Sequence, residues 1–177
     1  MIPMNDISYS FSDITDKNKK DIWILVVKAD KEFIPNLSSR NDTTQTELNI
    51  SKDVVSLPVS YYEKLISQKF IIATFNDAVV GFMAFIPDYS LRIDEKQIIC
   101  LYISTIIVDP DFRRRGITRT FYNILKENYP DTYIVTRTWS SNYSHIQLLE
   151  SIGFNMIKVI KDDRGTGIDT LYYSFQS

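Results

Sequence analysis

The sequence predicts an α/β fold, a central mixed sheet of about six or seven strands flanked by about four helices. Three features carry that prediction. Lys96 to Val108 is an almost unbroken apolar run, as in a strand buried on both faces at the middle of a sheet. Stretches starting near Ile117 and Asn142 space their apolar residues for helices. The segments follow the order β-α-α-β-β-β-α-β-α-β-β, which one mixed sheet with helices on both faces accommodates.

Taken in order, Ile7 to Phe11 alternates apolar and polar side chains and predicts a first strand. Ile22, Val26, Ala29 and Phe33 recur at helical spacing within Thr15–Phe33. Pro35 to Val55 is polar and without a clear period, the length of a segment that caps a site or lacks order. Pro58 suits the first turn of a short helix, with Val59, Tyr62 and Ile66 on one face. Phe70–Thr74 and Val79–Ile86 predict two strands joined through Asn76-Asp77, a hairpin signal. Asp109-Pro110 ends the central strand. A helix then places Ile117, Phe121, Ile124 and Leu125 on one stripe and stops near Asn128. Tyr133 to Thr138 is a β-branched strand. The next helix takes Asn142 or Ser141 as N-cap, buries Ile146, Leu149 and Ile152, and stops at Gly153. Strands at Phe154–Lys161 and Leu171–Phe175 flank a loop with Gly165 and Gly167.

Composition narrows the function. The 177 residues fit one domain spanning 1–177, and the 44% apolar and 13% aromatic shares supply a core. Twenty basic residues face twenty-two acidic ones, so no global charge favours nucleic acid or an anionic membrane. The one cysteine, Cys100, sits among apolar residues and forms no internal disulfide, which suits a reducing compartment. The N-terminus carries no secretory pattern, and Ile98–Val108 falls far short of the roughly 20 residues that span a bilayer. A soluble, cytoplasmic protein is expected, without a metal, because no His, Cys or Asp cluster has ligand spacing.

The chemistry lies in Ile106 to Arg119, which runs from the buried strand through Asp109-Pro110-Asp111-Phe112 and three arginines into a helix start. Free N–H groups and the positive dipole end at a helix start make an anion site. Gly116 removes a Cβ where an anion would approach the backbone. Three arginines here suggest a bound anion, while a basic surface turn neutralised by Asp109 and Asp111 accounts for them as well.

Arg113-Arg114-Arg115-Gly116-Ile117-Thr118 resembles the acetyl-CoA-binding motif of the GNAT N-acetyltransferase superfamily, (Q/R)-x-x-G-x-(G/A), with Val108-Asp109-Pro110 in register before it. Thr118 departs from the small last residue. Asn142 to Phe154 is similar, without a gap, to the second family motif, N-x-x-A-x-x-L-Y-E-K-L-G-F, matching at Asn142, Leu148, Glu150, Gly153 and Phe154. The resemblance covers nearly the whole chain from residue 7.

This resemblance implies direct transfer of an acetyl group from acetyl-CoA to a small-molecule or peptide amine, by a monomer or homodimer. Pantetheine amides would pair with the backbone of Ile106 and Val108, beside Ile107. The pyrophosphate would rest on the amides of Arg114 to Thr118, near Arg113, Arg115 and Arg119, with Ile117 and Asn142 completing the cofactor site. Asn142 serves equally as a plain N-cap. The family's usual acid, a tyrosine, is Leu149 here, so Tyr143, Tyr172 or Tyr173 would protonate the thiolate, or no acid is needed. Ser104, with Tyr102, would order a water as proton acceptor. His145 is a helix residue with a local hydrogen bond or, less simply, a base.

The acceptor side would be built from the first two helices, the 35–57 segment and the Asp162–Asp169 loop. Its acids, Asp42, Glu47, Asp162, Asp163 and Asp169, would orient a cationic amine beside Arg40, Arg164, Tyr61, Tyr62 and Tyr89, or be solvated loop residues. A GNAT-fold module that binds acyl-CoA or a partner without catalysis is the alternative.

Overall fold

The apolar run Lys96–Val108 is the middle strand of a seven-stranded mixed sheet in a computed structural model that describes residues 6–48 and 56–176. The elements are β1 (Ser8–Ser12), α1 (Asp16–Ala29), α2 (Val59–Leu65), β2 (Lys69–Phe75), β3 (Ala78–Ile93) and β4 (Lys96–Val108). Then come α3 (Ile117–Asn128), β5 (Ile134–Trp139), α4 (Tyr143–Ser151), β6 (Asn155–Ile160) and β7 (Thr170–Phe175). The strand order is β1-β2-β3-β4-β5-β7-β6. Only β4 and β5 pair in parallel, and every other pair is antiparallel. The sheet and its helices are those the residue patterns predict.

Local chemistry explains the element ends. Thr15 caps α1 by accepting from Asn18 N–H at 3.2 Å, and Ile22, Leu25, Val26 and Ala29 form its buried stripe. The β2–β3 hairpin turns through Asn76 (φ 48°) and Asp77 (φ 61°), the pair of positive φ values that a two-residue hairpin turn needs. Gly153, at φ +88°, follows α4.

Two expectations, on α2 and on β3, are corrected, and the alternatives left open for the segment after Pro35 are narrowed. The buried face of α2 is Tyr61 and Leu65, and Val59 is 48% exposed. One residue of phase decides which side of so short a helix meets the sheet, and the Tyr61 hydroxyl fixes it with a 2.6 Å buried bond to Thr105 Oγ1. The polar segment after Pro35 is well packed as far as it is described. Leu37 and Leu48 are buried, and Arg40 and Thr43 with them, while residues 49–55 lie outside the described residues. β3 continues past Ile86 to Ile93, because Pro87 falls where the β3–β4 register shifts and so disturbs no ladder bond.

The sheet has two differently covered faces. One carries Leu101, Ile103, Ile134 and Tyr173 under α3 and α4. The other carries Phe70, Ile72, Phe82 and Ile107 under α1 and α2, then Cys100, Tyr102, Val135 and Tyr172. A bulge at Ser104 lets both arrangements share β4. Ala84 opposes Thr105 and Phe85 opposes Ile103, so Ser104 is the extra residue.

Asp77→Gly removes a side chain from a left-handed position. It is expected to stabilise the chain by up to about 1 kcal/mol, seen as a rise of about 2–4 °C in thermal unfolding.

Candidate functional site

β4 and β5 pair only at Leu101–Ile134, Tyr102–Val135 and Ile103–Thr136. The Thr136 hydroxyl donates to Ile103 C=O at 3.3 Å, and beyond that point β4 runs on to Val108 with no strand partner on this side among the described residues. Asp109 N–H reaches back to Val80 C=O on β3, so by strand alternation Ile106 and Val108 turn their backbone groups toward the open side. Gly81 lets β3 come close on the far side, where an added Cβ would sit 3.1 Å from Ile107 O.

The opening between the strands is a cavity of about 640 Å³. Its floor includes Ile106, Ile107 and Val108, and one end reaches Arg113, Arg114, Gly116, Ile117, Thr118 and Arg119. Arg114 (φ 61°) and Gly116 (φ 75°) are both left-handed, which folds the turn back onto the start of α3. No side chain caps that start, and the first intrahelical bond is Thr120 N–H to Gly116 O at 2.9 Å. The amides of Ile117, Thr118 and Arg119 therefore stand free of helix partners, as an anion cradle requires. An added Cβ on Gly116 would meet no atom of the described residues within 4 Å, so its conformation, not crowding, calls for glycine.

Of the residues expected to hold a cofactor, Asn142 also lines the cavity and Arg115 does not. Arg115 lies 5.1 Å from the Phe112 ring and donates to Asp111 O at 3.1 Å. Arg113 lines the cavity with its guanidinium engaged, Nε to Val108 O at 3.0 Å and Nη2 to Glu32 at 2.7 Å. Arg119 donates to Ser151 Oγ at 2.9 Å. Asn142 occupies the N-cap position of α4 without capping it, and its Nδ2 donates to Thr138 Oγ1 at 3.1 Å.

The side chains expected to move protons are not brought to this cavity. Tyr143 is 71% exposed on α4. Tyr173 packs in the core under α3 and α4 and donates to Glu150, while Tyr172 lies on the other face beside Cys100 and Tyr102. The bulge aims Ser104 at Gln68, to which it donates at 2.6 Å, and no strand period would reveal that. Leu149, where the resemblance expects a tyrosine, is fully buried core. Cys100 is packed away too, its thiol pushed up to about 12 by burial.

Sequence reading missed Glu32, Phe33, Thr105, Thr136, Arg137 and Trp139, all of which line the cavity. Arg137 alone left a trace, as a charge inside an otherwise buried β-branched strand. His145 lines the cavity as well and shares a 2.9 Å bond through Nε2 with the buried Tyr122 hydroxyl. Burial pushes its pKa from 6.5 down to about 4, so the imidazole is neutral at neutral pH. Four of the five acids of the expected acceptor side, all but Glu47, are tied to nearby groups. Asp42 accepts from Thr44 N–H, Asp162 from Gly167 N–H and Asp169 from Asp162 N–H, and Asp163 accepts from Leu48 N–H and the Thr170 hydroxyl. Among the described residues no group of His, Cys, Asp and Glu is set to hold a metal, and no helix is long and apolar enough to cross a membrane.

The sequence model of the acetyltransferase (GNAT) family matches residues 42–154. No curated protein matches the chain. Among solved structures, a GNAT-family protein from Desulfovibrio desulfuricans is similar with a TM-score of 0.68 at 14% identity, over 96% of this chain and 98% of that one. A ribosomal-protein-alanine N-acetyltransferase from Brucella melitensis is similar with a TM-score of 0.66 at 15% identity, over 96% and 99%. A Salmonella typhimurium protein solved with its cofactor acetyl-CoA has a TM-score of 0.61 at 16% identity, over 97% and 94%. At such identities the likeness is one of fold.

His145 is the sole histidine, so its ring protons can be followed by NMR without assignment. The resonance should titrate near pH 4 and not near 6.5. Because the unfolded chain binds this proton more readily, stability should fall as pH drops from about 6.5 toward 4, and His145→Gln should flatten that fall.

Proposed function

This chain belongs to the acetyltransferase (GNAT) family, and we propose that it transfers an acetyl group from acetyl-CoA to an amine by direct attack, without an acyl-enzyme. One observation carries the reading. A single cavity joins the unpaired edge of β4, at Ile106 and Val108, to the free amides at the start of α3. The first suits the amide-bearing pantetheine arm, and the second suits a pyrophosphate. The Salmonella typhimurium neighbour, solved with acetyl-CoA, supports the same choice of donor. The Brucella melitensis neighbour, which acetylates an alanine nitrogen by its name, supports an amine acceptor.

In this reading the amides of Arg114 to Thr118 hold the diphosphate, and Arg114 adds charge from the cavity wall. The side chain of Arg113 serves the turn itself, binding Val108 O and Glu32. The pantetheine amides complete the ladder that β5 leaves open at Ile106 and Val108. A backbone N–H of this edge polarises the thioester carbonyl and holds the oxyanion. The amine lone pair attacks the carbonyl carbon, the C–S bond breaks, and the ammonium proton is lost as the thiolate leaves and takes one up. His145 is too weak a base to retain that proton near neutrality, and a thiolate leaves without a dedicated acid.

Thermal unfolding with and without acetyl-CoA tests the donor site. At ligand near 100 times its dissociation constant the gain should be about 2.7 kcal/mol, or about 5–10 °C. Gly116→Ala should lose about 1 kcal/mol of stability through its left-handed φ yet keep the ligand shift, since its Cβ meets no atom of the described residues. Gly116→Glu should lose the shift by repelling the diphosphate. An unshifted wild type at millimolar acetyl-CoA would overturn the reading.

A further inference from the structure

The acceptor side of the cavity is cationic where its sequence promised acids. Arg40 and Arg164 are only 5% and 6% exposed. Arg137, from the stretch of β5 that β4 no longer pairs, lines the cavity itself. Among the described residues none of the three forms an ion pair, since every ion pair found lies elsewhere. Arg40 donates twice to Pro35 O, at 3.0 and 2.7 Å. Arg164 donates to Ile34 O at 2.6 Å and to Thr170 Oγ1 at 2.9 Å. Among the described residues Arg137 reaches Thr43 O, at 3.4 Å, and the Tyr172 hydroxyl.

Carbonyls and hydroxyls satisfy N–H donors but leave the charge uncancelled. The walls do not cancel it either. Arg40 lies over Phe33 and Tyr61, at 5.6 and 6.0 Å from the ring centres, and Arg164 lies 5.7 Å from that of Trp139. Among the described residues, Asp30 and Asp163 are the carboxylates whose charges Arg40 and Arg164 feel. Asp30 accepts from Ser38 N–H and its hydroxyl, and Asp163 from Leu48 N–H and Thr170. Three guanidinium groups thus face two committed carboxylates. The three feel one another: burial pulls Arg40 down to about 10 and Arg164 to about 9, and the charge of Arg137 pushes each the same way. Both stay protonated near neutrality. Phe33 and Trp139, in ring contact at 5.5 Å, stand between Arg40 and Arg164 and the cavity. Arg137 is the member of the group with direct access.

We propose that the acceptor is a small amine bearing a carboxylate, an amino acid in chemical class, whose carboxylate binds Arg137 while its amine faces the open edge of β4. Arg40 and Arg164 raise the positive potential behind Arg137 and pin the Phe33–Pro35 strap that shapes this end. A guanidinium has five N–H donors, and bonds to Thr43 O and the Tyr172 hydroxyl leave Arg137 enough of them for a bidentate carboxylate. The proposal rests on the acetyltransfer reading above.

Coenzyme A release should be followed with the wild type against matched pairs: lysine and cadaverine, phenylalanine and phenethylamine, and each common amino acid and its amide. For the acceptors used best, kcat/KM should exceed that of the carboxylate-free partner by about tenfold to a hundredfold, the loss expected when a charge-assisted hydrogen bond is removed. Arg137→Gln should shrink that ratio toward one, and Arg137→Lys should restore part of it. Retained acetyl-CoA thermal shift in both variants would show that they fold and still hold the donor. Equal use of both members of each pair would overturn the proposal. So would failure of every carboxylate-bearing amine with acetyl-CoA demonstrably bound, or an unchanged ratio in Arg137→Gln. If the wild type showed no acetyl-CoA shift at all, the acetyltransfer reading would fall first, and this proposal with it.

Discussion

The departure of β4 from β5 after Ile103 and Thr136 is the constraint on which the rest of the site depends. A parallel strand pair that stayed zipped to Val108 would bury its polar backbone groups and leave no cavity. Several contacts keep it open. The Thr136 hydroxyl takes the last shared carbonyl. The bulge at Ser104 moves Ile106 and Val108 onto the face they would otherwise leave. Past the strand end, Asp109 pairs with Lys28 of α1 at 2.9 Å, and Arg113 bridges Val108 O and Glu32. Exposed ion pairs of this kind contribute about 0–1 kcal/mol each. The aim of the turn therefore rests chiefly on backbone geometry at Arg114 and Gly116 and on the buried stripe of α3.

The two faces of the sheet divide the chemistry. Under α3 and α4 the core is almost wholly apolar, and it fixes the helix start whose amides face the cavity. On the other face, beyond the reach of α1 and α2, tyrosines and arginines replace aliphatic side chains. A layer of buried cations is costly to hold without anions. Its persistence beside a cavity is most simply understood as provision for a ligand.

The sequence made the scaffold legible because those signals are local. The run Lys96–Val108, the Asn76-Asp77 turn, the helical spacing within Thr15–Phe33 and the motif from Arg113 to Thr118 each depend on neighbours within a few residues. What stayed hidden depends on partners far along the chain. Ser104 is an ordinary strand residue until its register with Ala84 and Phe85 is known. The phase of α2 is set by a bond from Tyr61 to Thr105, forty-four residues away. The polar stretch after Pro35 is ordered by Arg164 and by Asp163, more than a hundred positions later. The placement of the proton-handling candidates was hidden for the same reason. Tyr143, Tyr172, Tyr173 and Ser104 have suitable chemistry, but none of them lines the cavity, and Tyr172 meets it only through its bond to Arg137.

Hydrogen exchange with and without acetyl-CoA, resolved to single peptides, tests most directly whether the open strand edge and the helix start form one donor site. Slowed exchange is expected at Ile106 and Val108 and from Arg114 to Arg119, with β6 at the far edge of the sheet unchanged. Binding that left these amides exchanging at their free rates, or protected only one of the two groups, would contradict it.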